Sequence, residues 1–200
     1  MASARWSAGH PGALVEQLTR SCDSSVVDIE TARLILKPWT EDYTDDFARL
    51  CGDERVMKYI SRGRALTHDE ANKISERATG LWVEHGYGPW VALDKVSGRF
   101  VGRIGLNLLA DWPLLDKWEV GWELIPEFWG RGLASEGGKT AVDYGFAQAH
   151  LRRIISVTVA GNAASRRVME KVGLTFQGFF AYRDATDVVW YAADNPREKP

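Results

Sequence analysis

Apolar and polar positions along the chain sort into short alternating runs and a few longer stretches with a helical period. Ile29 to Pro38 predicts a first strand, and Thr40 to Cys51 a helix. Thr40 suits its N-cap, Asp42 suits the positive end of its dipole, and Phe47 and Leu50 give it an apolar side. Val56 to Ile60 reads as a short turn or helix. Thr67 and Glu70 have capping-box spacing and open a helix to about His85, with Ala71, Ile74, Ala78, Leu81 and Trp82 on one face. Gly86 and Gly88 stop it. Trp90 to Leu93 and Phe100 to Leu108 predict a hairpin around Lys95–Gly98, and Asp111–Pro113 a loop. Trp118 to Ile125 follows as a strand that Pro126 ends, because proline has no N–H for a ladder.

Beyond Gly130 and Gly132 a helix starts near Ala134. Ala134, Gly138, Ala141, Val142, Gly145, Phe146 and Ala149 lie on one face. Ile154 to Val159 is a β-branched strand, and Phe176 to Tyr182 and Val188 to Ala192 predict the last two. One strand–helix–strand crossover in an otherwise antiparallel set implies an α+β fold.

Composition narrows the class. The 200 residues, 45% hydrophobic and 26% charged, suit one globular domain with a real core. A net charge of −2 leaves no basic footprint for nucleic acid. No apolar run reaches the roughly 18 residues a membrane span needs. Arg5, His10, Glu16 and Arg20 interrupt any signal-peptide core. Cys22 and Cys51 make neither a disulfide framework nor a metal set, and the histidines are scattered. A cytoplasmic, metal-free enzyme is the resulting expectation. Residues 1–27 read as an extension, 28–194 as the domain and 195–200 as a tail. Six of the 9 tryptophans fall between Trp82 and Trp129, in the core or lining a pocket.

The strand, glycine turn and helix around residues 118–149 carry the chemistry. Unpaired N–H groups at a helix start, with glycines that let backbone come close, make an anion site. A Walker-type phosphate loop needs a glycine where Leu133 stands, and a dinucleotide fingerprint needs one where Ser135 stands. Trp129-Gly130-Arg131-Gly132-Leu133-Ala134 instead resembles the pyrophosphate loop of the GCN5-related N-acetyltransferases (GNAT), with Trp129 at the usual Gln or Arg. Thr31-Ala32-Arg33-Leu34-Ile35-Leu36-Lys37-Pro38 resembles the opening of the ribosomal-protein N-terminal acetyltransferase (RimJ/RimL-like) branch. Val101–Leu106 and the run from Asn162 to Leu174 resemble two further family segments. The resemblance covers roughly residues 31–193.

That resemblance implies a mixed, mostly antiparallel twisted sheet flanked by helices, with its central parallel strands splayed apart. It implies acetyl-CoA, transferring acetyl directly to a primary amine in a ternary complex. The acceptor would be a protein N-terminus or a small molecule, and the protein a monomer or homodimer. The pantetheine arm would lie on the opened strand edge at Leu124 and Ile125, and the pyrophosphate on Gly130, Arg131, Gly132, Leu133, Ala134 and Ser135. Asn162, Ser165 and Arg167 would complete the cofactor site. Glu119 is the first candidate base, with Asp187 second, and Ser165 the candidate donor to the leaving thiolate. Arg166, Arg167 and Lys171 are expected to be exposed. A non-catalytic acyl-CoA sensor is the competing reading.

Overall fold

A computed structural model describes residues 28–60, 63–183 and 185–198; the expected extension 1–27 lies outside them. Eight strands form one sheet in the order β1-β2-β3-β4-β5-β6-β8-β7. They are β1 (Ile29–Glu30), β2 (Leu34–Pro38), β3 (Pro89–Asp94), β4 (Phe100–Leu108), β5 (Trp118–Leu124), β6 (Arg153–Val159), β7 (Thr175–Tyr182) and β8 (Ala185–Asp194). The described helices are α1 (Thr44–Cys51), α2 (Glu54–Met57), α3 (His68–His85), α4 (Leu133–Ala147) and α5 (Ala163–Lys171). Every pairing is antiparallel except β5 with β6, the pair joined through α4.

Alternation along the strands divides the apolar side chains between two faces. Trp90 and Ala92 of β3 join Leu34, Leu36, Ile104, Leu106, Val120 and Ile154 beneath α4. Val91 and Leu93 join Trp39, Phe47, Leu50, Met57, Ala71 and Ala78 beneath α1 and α3. Trp112, Ile155 and Ala192 form a smaller aromatic-rich cluster with Phe180, Tyr182 and Trp190. The tryptophans divide accordingly: Trp39, Trp90 and Trp112 are buried, whereas Trp129 is exposed.

Three expectations about the elements need correction. The first strand is two strands, because Thr31 closes a turn: its N–H donates to the Leu34 carbonyl and its Oγ1 accepts from the Leu34 N–H, both at 2.9 Å. Residues 41–43 form a 3₁₀ turn before α1, and Thr40 Oγ1 is paired with Asp42 rather than capping the backbone. The supposed tail begins with a buried anchor: Asn195 Nδ2 donates to the carbonyls of Phe146 and Leu151.

The Thr67–Glu70 capping box forms, and Gly86, at φ +74°, ends α3. The glycines of α4 are explained by packing. A Cβ on Gly137 would stand 2.7 Å from Ile104 Cδ1, and one on Gly145 2.6 Å from Ile154 Cδ1. The helix axis therefore lies closer to the sheet than any larger residue permits.

Candidate active site

β5 and β6 pair only where Glu119 meets Ile155 and then part. Side chains bridge the start of the gap. Ser156 Oγ donates to the Val120 carbonyl at 2.8 Å, and the Val157 N–H donates to Glu119 Oε1 at 3.2 Å. The Ile125 N–H donates to Val101 of β4, so ladder alternation turns the backbone groups of Trp122 and the N–H of Leu124 toward the gap. The Leu124 carbonyl accepts the Trp129 indole N–H at 2.7 Å, which gives Trp129 a local role at the place of the usual Gln or Arg. Ile125, expected beside Leu124, has its carbonyl on the Phe128 N–H as well. Both its backbone groups are spent, so the structure removes Ile125 from the opened edge.

At the wide end of the gap stand the N-termini of α4 and α5. Gly130 and Gly132 take φ of +73° and +79°, a conformation open to glycine at no steric cost. The N–H of Trp129 donates to Pro126 and that of Glu136 to Gly132. Between them, the N–H groups of residues 130–135 have no hydrogen-bond acceptor among the described residues. A nest of backbone donors at a helix start suits a diphosphate. Arg131 is exposed, with its guanidinium 5.3 Å from the Phe128 ring centre.

On the α5 side, Asn162 is the cap: its Oδ1 accepts the Ser165 N–H at 3.1 Å, and its Nδ2 donates to Thr158 Oγ1. The Ser165 hydroxyl is therefore not used for capping. Ser165 shares a helix face with buried Met169 and Val172. Arg167 and Lys171 are exposed as expected. Arg166 is not: half-buried, it donates to Tyr191 Oη and to the Ala160 carbonyl.

Glu119 lies on the face shared with Glu123. Arg103 holds Glu123 through two hydrogen bonds, 2.9 and 2.7 Å, with side chains 13% and 14% exposed. On the far side Asp111 accepts from Tyr182 Oη at 2.6 Å and from both Nε and Nη2 of Arg183. Arg183, at φ +52°, is a non-glycine residue in the left-handed region, and its side chain forms that ion pair. Burial pushes the Glu119 carboxyl up to about 7; the charge of Glu123 adds to this, while the Val157 N–H, Arg103 and Arg183 oppose it. A partly buried carboxyl titrating near neutrality can take and return a proton at physiological pH. Asp187 is exposed and shares the β8 alternation of Val189 and Tyr191, on the face opposite Glu119.

A family model for the acetyltransferase (GNAT) domain matches residues 33–175. The chain belongs to the GNAT family. It is an acetyl-CoA-dependent N-acetyltransferase that transfers acetyl to an amine. It is 34% identical over 161 residues to the FsC-acetyl coenzyme A-N(2)-transacetylase of Aspergillus fumigatus, a match covering 74% of this chain and 64% of that protein. It is 29% identical over 175 residues to the uncharacterized N-acetyltransferase YoaA of Bacillus subtilis, covering 85% of this chain and 98% of that one. An acetyltransferase structure from Agrobacterium tumefaciens superimposes with a TM-score of 0.72 at 24% identity, covering 84% of this chain and 95% of that one. RimL, a ribosomal L7/L12 alpha-N-protein acetyltransferase in complex with coenzyme A, gives 0.69 at 18% identity, covering 84% and 97%. These two likenesses establish the GNAT fold. No described helix is long and apolar enough to cross a membrane.

Sequence reasoning missed Trp129 as a backbone partner, the Asp111–Arg183 pair, and Arg33 and Glu136. Glu136 carried a signal: an acidic residue one turn into a helix that should bind an anion requires a cation to neutralise it.

Proposed function

We propose that the protein acetylates α-amines, in the manner of the ribosomal-protein N-terminal acetyltransferase branch, with Glu119 as general base and Ser165 as donor to the leaving sulfur. The observation that carries this reading is the Glu119 carboxyl, titrating at about 7 where β5 and β6 separate. An α-ammonium near 7.7–8.0 gives its proton to such a base at a cost of about 1 kcal/mol, whereas a lysine near 10.4 opposes the transfer by about 4–5 kcal/mol. The Thr31–Pro38 opening, which resembles that of this branch, supports the same reading.

When bound, acetyl-CoA supplies an acyl group activated as a thioester. Trp122 and the Leu124 N–H would hold its amide-bearing arm as a strand holds its neighbour. Gly130 to Ser135 would hold its diphosphate, with Arg131 and Arg167 adding charge at the rim. Val157 orients Glu119 through its N–H, and Glu119 takes the acceptor's proton. Asn162, by capping α5, leaves the Ser165 hydroxyl free to donate. Residues 28–195 would form the catalytic unit in the cytoplasm. Small-molecule amines are the second reading, favoured by the 34% identity to a protein named a transacetylase at N(2).

The test compares Glu119→Gln and Ser165→Ala by free-thiol release and product mass. Glu119→Gln should lower kcat about 10²- to 10⁴-fold, and the wild-type rate should fall as pH drops below about 7. Unchanged turnover in both variants would remove both assignments.

A further inference from the structure

The Thr31-x-Arg33 opening does more than start a strand. Glu136 occupies the first turn of α4, beside the N–H groups that face an anion. A free carboxylate there would repel a diphosphate. The structure neutralises it from the β1–β2 turn. Thr31 Oγ1 donates to Glu136 Oε1 at 2.5 Å, and the Arg33 N–H to the same oxygen at 2.7 Å. Arg33 Nε and Nη2 both reach Oε2 at 2.7 Å.

One arm of the guanidinium remains, and it donates through Nη1 to the Arg131 carbonyl at 2.6 Å. A trans peptide carries its C=O and N–H on opposite sides. Holding the Arg131 carbonyl therefore turns the Gly132 N–H away from Arg33 and leaves it with the unpartnered N–H groups of the turn. Arg33 Nη2 also lies 3.5 Å from where a Cβ on Gly132 would stand. One guanidinium thus fixes a peptide of the turn and cancels the only carboxylate in the first turn of the helix.

We propose that Arg33, aimed by Glu136 and Thr31, is the positioning residue of the diphosphate-binding turn, holding it in its anion-accepting shape before the ligand arrives. This rests on reading residues 130–135 as the coenzyme A diphosphate site. Arg33 acts through the backbone of Arg131 and Gly132, so its effect is confined to ligands that carry the diphosphate.

The experiment measures binding of coenzyme A and of pantetheine, which lacks the diphosphate, to wild type, Arg33→Gln and Arg33→Lys. The kinetic constants for acetyl-CoA and acetyl-pantetheine are measured alongside. Arg33→Gln should weaken coenzyme A binding and raise the KM for acetyl-CoA by about ten- to thirtyfold. Its kcat should stay within about twofold, and its constants for the pantetheine ligands should not change. Arg33→Lys, which keeps the charge but not the planar fork, should recover only part of the loss. Equal weakening toward both ligand classes, or no weakening, overturns the proposal. A wild-type protein that binds coenzyme A no better than pantetheine overturns the diphosphate site itself.

Discussion

Replacing Glu119 with glutamine should stabilise the fold while removing the base. Glu119 titrates at about 7 in the folded protein against 4.5 for an ordinary glutamate, chiefly because burial disfavours its charge. Below pH 4.5 folded and unfolded chains both carry the proton, and no penalty exists. Between these values the unfolded chain ionises first, so this group lowers stability as pH rises. Above about 7 the penalty is complete, at most about 3 kcal/mol. Glutamine removes the titration, and its side-chain oxygen still accepts the Val157 N–H that Glu119 binds at 3.2 Å. For a chain of this length that gain raises Tm by at most about 6–12 °C at pH 8 and vanishes near pH 4.5. Thermal melts of both proteins from pH 5 to pH 8, without ligand, measure the difference; the other titrating groups are common to both and cancel. A Tm difference independent of pH, or a glutamine variant less stable at pH 8, would refute the reasoning.

Two other substitutions probe the surroundings of the site. Glu123→Ala strands the buried Arg103 charge and should cost about 3–5 kcal/mol in urea unfolding, whereas replacing both partners by apolar residues should cost far less. Gly137→Ala gains up to about 1 kcal/mol of helix propensity but drives a methyl to 2.7 Å from Ile104 Cδ1. Overpacking costs about 1–3 kcal/mol, so the variant should unfold at lower urea. Adding Ile104→Val should restore part of the loss.

Local pattern made much of this arrangement legible. The two-residue period of β5 put Glu119, Gly121 and Glu123 on one face, and Pro126 with the two glycines marked the strand–turn–helix. The spacing of Thr67 and Glu70 foretold a capping box that forms. What escaped depends on groups far apart in the chain. Residues 29–38 have the composition of one strand, but Glu136, about a hundred residues away, binds Thr31 and Arg33 at the turn that divides them. Arg166 reads as a solvated helix residue until β8 brings Tyr191 beneath it. Gly137 reads as a weak helix position until the β4 side chain Ile104 is seen against it. Asp111 and Arg183 lie in loops, where no periodicity says which side chains meet.

The most direct measurement offers the protein acetyl-CoA with three acceptors: peptides with a free α-amine, the same peptides α-blocked but containing lysine, and small primary amines. Free thiol and product mass are followed together. The account predicts acetyl on the α-amine, at a rate that falls below pH 7 and is lost in Glu119→Gln. Acetylation of lysine side chains alone, or coenzyme A binding with no transfer to any amine, would contradict it.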